Sequence, residues 1–346
     1  MFNPLDGNGV PNHTETNGTP IPNTSTSRGS STSRMNAVLP FSLSQSAQES
    51  MLTSASNLRD PVNTQHLASI SMVQEPEQEE ESIESRLLAW QNSLLAWQNS
   101  APANERQGRE TAVNRIRDCM NNGSTSLTLS SLHLTSLPEG VFQQLPLLRA
   151  LNLRGNLLTS LDLHDCVGLA SLSCDHNRLT HLDIHGCTGL ISFSCEYNQL
   201  TSLDVDGCAR LNSLICGHNQ LTQLDVRDCV MLTSLTCGFN QLTHLNTQGC
   251  GELNNLSCEF NQLTHLDVHD YLGLIFLSCG HNQLTHFDIQ GCEGLTSLSC
   301  GHNRLTHFDA NGCMDLMYLS CEHNQLTHLN FSGCVELTDL LCSDNQ

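Results

Sequence analysis

The sequence contains no lysine, and all 14 of its basic residues are arginine. Lysine is normally among the commonest residues of a globular protein. Its absence from a chain of 346 residues excludes a phosphate-binding loop built on lysine and a lysine that forms a Schiff base with a substrate. Any recognition of phosphate by this chain would have to use arginine.

Positively charged residues are few. The 35 acidic residues outnumber the 14 arginines and give the chain a formal net charge of −21. Nucleic acids and anionic membranes attract clustered positive charge, so we expect no nucleic-acid partner and no membrane partner. Long apolar runs are missing as well, since no window approaches the roughly 18 residues of a membrane-spanning helix. The first residues also lack the charged and apolar segments of a signal peptide.

Aromatic residues are rare in the N-terminal part, where residues 1 to about 70 consist largely of Ser, Thr, Asn, Pro and Gly, followed by an acidic run that ends at Glu84. Such a composition buries too little apolar surface to offset the entropy lost on ordering the chain. We therefore expect residues 1–85 to form a disordered region.

Next, the heptapeptide LLAWQNS occurs twice in tandem, over Leu87–Ser93 and Leu94–Ser100. Seven residues span two helical turns, so Trp90 lies above Trp97 on the apolar stripe of an amphipathic helix. A second helical pattern follows over residues 104–121. Because repeat arrays need capped ends, residues 86–123 are predicted to form a helical cap, and a partner-binding role for the two Trp residues is a compatible alternative.

Beyond residue 123 the sequence is periodic, with a leucine every 21 residues from Leu148 to Leu337. Each unit reads LxxLxCxxN(Q/R)LTxLD, followed by an apolar residue and GC or DC. A longer first unit of 24 residues covers 124–147, and residues 148–346 hold nine complete units and a truncated tenth. A fixed period of this kind is the signature of leucine-rich repeats. The sequence predicts an α+β repeat protein, a leucine-rich repeat solenoid with a parallel β-sheet, preceded by the small helical cap.

Two residue types recur inside the unit for structural reasons. An asparagine marks the turn that leaves the strand, where its amide can bond to backbone groups. Of the 18 cysteines, nine occupy an inward strand position and eight lie at a second turn, where Tyr271 interrupts the column. Their spacing alternates between 8 and 13 residues with no CxxC pair, which disfavours zinc. We predict small core residues, no metal site, no cofactor and a reducing compartment.

Solvent-facing columns are the candidates for function. One is a histidine column in which each member lies two residues before an Asp or Asn and so shares a strand face with it. It is either a solvated structural ladder or a device that gains charge below about pH 6.5. Its members are His181, His244, His265, His286, His307 and His328.

A second column places a ring immediately before each asparagine, and exposed rings are typical anchors of protein interfaces. In addition, the outward strand positions are mostly Ser or Thr, with three large exceptions that are either partner contacts or repeat drift. We therefore predict no catalytic residue and ten partner-binding residues: Tyr197, Ile215, Phe239, Phe260, Phe276, Tyr318, His244, His265, His286 and His307.

The 21-residue pattern resembles the nested bacterial repeat class called IRREKO. The junction before it resembles the cap and first repeat of leucine-rich-repeat effectors delivered by bacterial type III secretion, EspR-type members in particular. The resemblance covers residues 86–346 and implies that residues 1–85 carry a secretion signal and that the solenoid binds a host protein in the host cytoplasm. The matching positions are Trp97, Arg109, Ala112, Val113, Arg115, Ile116, Arg117, Cys119 and Leu127 to Pro138.

One departure from that family decides the expected activity. Many of its members carry an E3 ubiquitin ligase domain after the repeats, whereas no residue here matches the catalytic cysteine, and Cys119 matches the cysteine of the cap. We expect no enzyme. Two alternatives stay open: the substrate-recognition part of such a ligase without its catalytic domain, and a bacterial cytoplasmic repeat protein that is never secreted.

Charge and the end of the chain give two further expectations about partners. Residues 148–346 hold 21 acidic residues and 6 arginines, a net charge of −15, which points to a host protein with a basic surface. The sequence ends at Gln346 inside the tenth unit, which predicts an uncapped coil open to self-association.

Overall fold

A computed structural model of the chain describes residues 83–346. The predicted disordered region and secretion signal therefore lie outside the described residues, except for positions 83–85, which begin the first helix.

Two helices precede seventeen strands of three residues each. The helices are α1 (Ile83–Asn99) and α2 (Arg106–Asn121). The strands are β1 (Ser126–Thr128), β2 (Ala150–Asn152), β3 (Ser160–Asp162), β4 (Ser171–Ser173), β5 (His181–Asp183), β6 (Ser192–Ser194), β7 (Ser213–Ile215), β8 (Gln223–Asp225), β9 (Ser234–Thr236), β10 (His244–Asn246), β11 (Asn255–Ser257), β12 (Phe276–Ser278), β13 (Ser297–Ser299), β14 (His307–Asp309), β15 (Tyr318–Ser320), β16 (His328–Asn330) and β17 (Asp339–Leu341).

Eleven strands form one parallel sheet in the order β1-β2-β4-β6-β7-β9-β11-β12-β13-β15-β17. Each pairing joins residues one unit apart, so that Leu151 lies beside Leu172 and Leu277 beside Leu298. The central residue of nearly every strand is buried and its neighbours face outward. The predicted leucine-rich repeat solenoid with a parallel sheet is confirmed, and we call these eleven strands the main sheet.

The LTxLD part of the unit forms the other six strands, on a second side of the coils. They pair in parallel as β3 with β5, β8 with β10, and β14 with β16, and a single bridge joins Asp267 to Asp288 between them. This second side is therefore interrupted, whereas the main sheet is continuous.

The cysteine columns lie in the core. Sixteen of the 18 thiols are buried, Cys166 is half-buried, Cys342 is exposed, and none forms a disulfide. Burial raises the pKa of Cys216 to about 12, and burial together with the nearby Asp204 and Asp206 carboxylates raises that of Cys208 to about 11. The prediction of small core residues is confirmed for all members of the two columns except the half-buried Cys166 and the exposed Cys342.

The asparagine column joins successive coils. The Oδ1 atom of Asn177 accepts from the backbone N–H of Leu158 at 3.1 Å, and its Nδ2 donates to the carbonyls of Leu153 at 3.1 Å and Cys174 at 3.0 Å. The same bridges recur in every coil up to Asn345. A buried polar group without a hydrogen-bond partner costs about 1–3 kcal/mol, and these amides provide partners for the backbone groups of the turns. The predicted structural role of this column is confirmed.

The helical cap is held together by one buried ion pair. Arg109 Nε donates to Glu105 Oε2 at 2.8 Å, and the same guanidinium lies 4.8 Å from the ring centroid of Trp97 and donates to its carbonyl at 2.8 Å. Burial alone would raise the pKa of Glu105, but hydrogen bonds from Thr135 and Arg109 outweigh it, and the pKa is lowered. The charged carboxylate holds the guanidinium of Arg109, and that guanidinium joins α2 to Trp97 of α1.

The cap packs directly on the first coil. A Cβ atom on Gly108 of α2 would lie 2.0 Å from the carbonyl oxygen of Leu132, so only glycine permits this approach. Arg115 donates to the carbonyl of Thr128 in β1 at 2.9 Å. Trp90 is buried and Trp97 partly buried against the same core, so capping accounts for both rings, and the predicted apolar stripe is confirmed.

The one break in the second cysteine column is compensated by a second change. Cys250 and Cys292 donate their thiol hydrogens to the carbonyls of Val226 and Val268, 24 residues earlier, at 3.1 and 3.2 Å. Tyr271 donates its hydroxyl at the same spacing to the carbonyl of Thr247 at 2.6 Å and lies 3.0 Å from its Oγ1. Because Thr247 occupies the position of those valines, Tyr271 and Thr247 form a matched pair.

Tyr271→Phe removes the partner of the Thr247 hydroxyl. Thr247 is a buried residue, with only 3% of its surface exposed. We expect a loss of about 1–3 kcal/mol in the free energy of unfolding, the cost of an unsatisfied buried polar group. The double change Tyr271→Cys with Thr247→Val restores the pair of the neighbouring coils and is expected to regain it. Urea unfolding measures both, with Tyr197→Phe on the exposed ring as control, and an equal loss in that control would contradict the explanation.

Candidate interaction surfaces

The outer face of the main sheet consists of two rows, formed by the first and third residues of each strand. Serine predominates in both. The pairing register places Phe276 beside Ser297 and Ser297 beside Tyr318, so the two large rings share a row two strands apart, or about 9.6 Å at the usual strand spacing. Ile215 lies in the other row, three strands from Phe276. The structure thus brings two of the three predicted exceptions together and leaves the third apart.

The ring column next to this face is a continuous stack. Consecutive rings lie 4.0–4.4 Å apart between centroids and are inclined by 9–23°. Ring faces therefore cover one another, and a partner can reach only the edges. The predicted contacts Tyr197, Phe239 and Phe260 keep 41–43% of their surface exposed in this way. The stack comprises His176, Tyr197, His218, Phe239, Phe260, His281, His302 and His323.

Every residue of this ring stack has a left-handed backbone, with φ between 52° and 55°. For residues other than glycine that conformation costs about 1–2 kcal/mol, while a stacked aromatic pair contributes about 0.5–1.5 kcal/mol. The stack has nearly one stacked pair for each ring, so the stabilisation from stacking is similar in size to the cost of the left-handed backbone. The stack therefore offsets the strain of the turn, a role that the sequence pattern did not reveal.

A row of acidic residues and glycines separates the ring stack from the serine rows. The carboxylate of Glu259 accepts from the Ser257 hydroxyl at 2.8 Å and lies over Gly238 of the preceding coil, where a Cβ would be 2.9 Å from its Oε1. Glu322 lies over Gly301 in the same way. Sequence reasoning missed this row, which gives the face of the main sheet a negative border.

On the second side, the predicted histidine and acidic columns do share one face, and they line a surface groove of about 1130 Å³ together with Phe287 and Phe308. Of the predicted contacts, His265, His286 and His307 lie in this groove, whereas His244 lies one coil away from it.

Each column of the groove is held by a different partner. The Nδ1 atoms of His265 and His286 lie 3.0 and 3.1 Å from the hydroxyl of the preceding threonine. Asp267 and Asp288 instead accept the backbone N–H two residues further on, at 3.1 and 2.9 Å. The acidic column therefore forms turns, and the histidines do not depend on it for their position.

The tautomers of His328 and His244 follow from their threonine partners. Thr327 uses its one hydroxyl hydrogen on the carbonyl of Thr306 at 3.3 Å, so its oxygen can only accept from His328 Nδ1, 2.9 Å away. The same arrangement holds His244 through Thr243. In the neutral ring Nε2 is then the acceptor, so His244 and His328 each present an acceptor to a partner.

All cysteines lie within the described residues, and the sixteen buried ones do not show the features of a nucleophile. Burial raises the pKa of Cys119 although its thiol donates to the carbonyl of Ser124 at 3.3 Å. A reactive cysteine requires a lowered pKa, because the thiolate is the attacking species. Within residues 83–346 no three His, Cys, Asp or Glu side chains are grouped to hold a metal ion. In the same range, neither helix is long and apolar enough to cross a membrane.

Comparison with known proteins agrees with this fold. A family model described as leucine rich repeat matches residues 125–179. The functional domain of InlJ from Listeria monocytogenes, reported to include a cysteine ladder, is 30% identical over 65% of this chain and 54% of its own, with a TM-score of 0.53. The chain thus spans about half of that domain. A search of curated protein sequences finds no match.

Two further solved structures are similar at lower identity. The leucine-rich repeat domain of APL1B is 23% identical over 80% of this chain and 82% of its own, with a TM-score of 0.56. YopM from Yersinia pestis, described as a leucine-rich effector protein, is 22% identical over 75% of this chain and 88% of its own, with a TM-score of 0.48. The first of these supports the fold alone.

The ring stack gives a prediction for pH. His281 lies between Phe260 and His302, with ring centroids 4.0 Å away on either side. Burial, and then the nearby His302 and His323, lower its pKa, while Glu322 opposes them. In the unfolded chain the His281 imidazole has its ordinary pKa near 6.5. Between that pH and the lowered pKa of the folded state, the unfolded chain binds more protons at His281 than the folded chain does. The free energy of unfolding therefore falls as pH falls through this range.

His281→Phe places in the stack a ring that already occurs there at Phe260, and it cannot titrate. We expect urea unfolding midpoints of this variant to fall less between pH 7 and pH 5 than those of the unchanged chain. His265→Gln, which introduces the residue found at Gln223 of the same column, is the matched control in the groove. If the control removes the acid sensitivity and His281→Phe does not, the groove rather than the stack is responsible.

Proposed function

We propose that the chain is a non-enzymatic interaction protein that binds a host protein through the face of the main sheet and the adjoining ring stack. The observation that carries this proposal is the presence of exposed anchors on and beside a face whose backbone is already paired. The serine rows contain Phe276 and Tyr318, and the ring edges of Tyr197, Phe239 and Phe260 lie beyond the narrow row of acidic residues and glycines that borders them. Rigid rings on a preformed surface are ordered at little entropic cost on binding.

The buried thiols with raised pKa values support a binding role over a catalytic one, because the cysteine-rich core offers no activated nucleophile. Acidic residues bordering the sheet face favour a partner with a basic surface, since complementary charge accelerates encounter and excludes wrong partners.

The finer part of the proposal is delivery by type III secretion into the host cytoplasm, as an effector of the EspR kind. Its support is the cap resemblance. Two of the residues that carry it, Trp97 and Arg109, hold the two cap helices together through the stacking contact and a hydrogen bond between them.

Capture of host proteins from a cell lysate tests binding. The ring variant, Tyr197→His with Phe239→His and Phe260→His, keeps a stack that the column already forms with histidine but removes its apolar edges. The sheet variant changes Ile215, Phe276 and Tyr318 to Ser. We expect at least one of them to lower recovery of a specific host protein by about tenfold or more, as loss of interface anchors does.

The matched control for capture changes Val167 and Ile191, which are exposed apolar residues outside the strand rows and the ring stack, to Thr. Its recovery is expected to equal that of the unchanged chain. Equal recovery by all variants would remove the sheet face and ring stack from the proposal.

Delivery is tested by fusing residues 1–85 to a reporter enzyme and comparing its export from bacteria with and without a working type III apparatus. We expect export only with the apparatus, because the secretion signal is assigned to that segment. Export that does not depend on the apparatus, or no export at all, would exclude the effector assignment and leave the binding proposal standing.

A further inference from the structure

Exposed apolar side chains concentrate where two coils bend into the main sheet. Leu272 and Ile275 precede β12 and are 65% and 48% exposed, and Met314 and Met317 precede β15 and are 61% and 50% exposed. In each coil the next residue along is a ring, Phe276 or Tyr318. We call Leu272, Ile275 and Phe276 the first ridge, and Met314, Met317 and Tyr318 the second ridge.

The two ridges occupy equivalent positions in coils that are two units apart. Backbone hydrogen bonds of 2.9 Å join Thr296 N–H to the Ile275 carbonyl and Met317 N–H to the Thr296 carbonyl. The coil between them has Glu293, Thr296 and Ser297 at the three corresponding positions. The ridges therefore flank a lower, polar strip, and in residues 148–346 only these two coils carry large apolar residues at all three positions.

The strip between the ridges is one coil wide. At a spacing of about 4.8 Å between neighbouring strands, the ridges lie about 9.6 Å apart. An α-helix with its side chains is about 10–12 Å across, so a helix cannot enter the strip but can rest on both ridges. A single long side chain can reach down between them. The exposed side chain at the end of the strip is Glu293.

Charge decides what kind of side chain that is. Residues 250–346 contain twelve acidic residues and a single arginine, Arg304. A second copy of this chain would bring the same negative charge, and an anionic membrane would be repelled. Exposed apolar side chains that lie close together mark an interaction site, and a carboxylate between them selects an arginine or lysine.

We propose that the two ridges and Glu293 form a docking site for a segment of another protein in which an arginine or lysine is flanked by apolar side chains. The basic side chain binds Glu293, and the apolar side chains cover Leu272 and Ile275 on one side and Met314 and Met317 on the other. This rests on the proposed function in that the partner is a protein, and it extends the sheet face from Phe276 and Tyr318 onto the bends that precede them.

The test uses a library of random 12-residue peptides displayed on phage and selected on the whole chain. The enriched peptides are then titrated against three variants. The ridge variant changes Leu272, Ile275, Met314 and Met317 to Thr, the residue of the same positions at Thr188 and Thr233, and leaves Phe276 and Tyr318 in place. The charge variant is Glu293→Gln. The control variant changes Val167, Ile191 and Val230, exposed on other coils, to Thr.

We expect enriched peptides with Arg or Lys between apolar residues, and binding about tenfold or more weaker to the ridge variant, as for loss of interface anchors. The charge variant is expected to bind these peptides several-fold more weakly and to lose the preference for a basic residue, with the control variant unchanged. No enrichment, enrichment of acidic peptides, or equal binding by the ridge and control variants would overturn the proposal. So would dimerisation of the chain that the ridge variant abolishes.

The host-capture experiment separates this proposal from the function on which it rests. If the ring variant, which changes no ridge residue, loses its host protein while the ridge variant binds peptides normally, the ring stack is a binding site and the ridges are not. If peptides require the ridges while no host protein is captured, the docking site stands and the proposed host binding fails.

Discussion

The side-chain amide of the asparagine column is the interaction on which the repeat architecture depends. A coil of 21 residues with three-residue strands has little regular hydrogen bonding of its own, and most of its backbone runs through turns. Each amide satisfies its own turn and the neighbouring coil at once, for example Asn177 through Cys174 of its own coil and Leu153 of the preceding one. The stacking register is therefore set by a side chain, and the leucine and cysteine columns align because the amides have fixed the coils relative to one another.

This constraint leaves few positions free for function. Inward positions hold leucine or cysteine, the turn holds asparagine, and the acidic column of the second side caps a turn of its own. Even the exposed rings serve the fold, since their stacking offsets a left-handed backbone. Variation that is not tied to packing is confined to the outward strand rows and the bends that lead into them, which is where Phe276, Tyr318 and the two ridges occur.

Periodicity predicted the parts of the fold that one unit determines. The inward leucines, the buried cysteines and the asparagine bridges repeat in every coil, so a single alignment of the chain with itself reveals them. The apolar stripe through Trp90 and Trp97 was predictable for a similar reason, because a tandem heptapeptide fixes one helix face. The candidate site was predicted only in part, through the rings and the exceptions in the serine rows.

Features that depend on contacts between unlike segments were not predictable. The Glu105–Arg109 pair and its approach to Trp97 join two helices, and Gly108 matters only because the carbonyl of Leu132 lies against it. The stacked geometry of the rings follows from φ values that the letters of the sequence do not encode. The pairing of Tyr271 with Thr247 links two departures from the repeat that lie 24 residues apart, and each looks like drift when read by itself.

The cysteine columns have a consequence for how opening of the solenoid can be observed. From Cys166 onward each complete coil carries a thiol at the inward strand position, the second turn or both, and burial keeps nearly all of them protonated and shielded. Such a thiol meets an alkylating reagent only when its own coil opens. Each coil of the solenoid contacts only its neighbours. The order in which the cysteines are alkylated, starting from the exposed Cys342, therefore shows how many coils have unfolded.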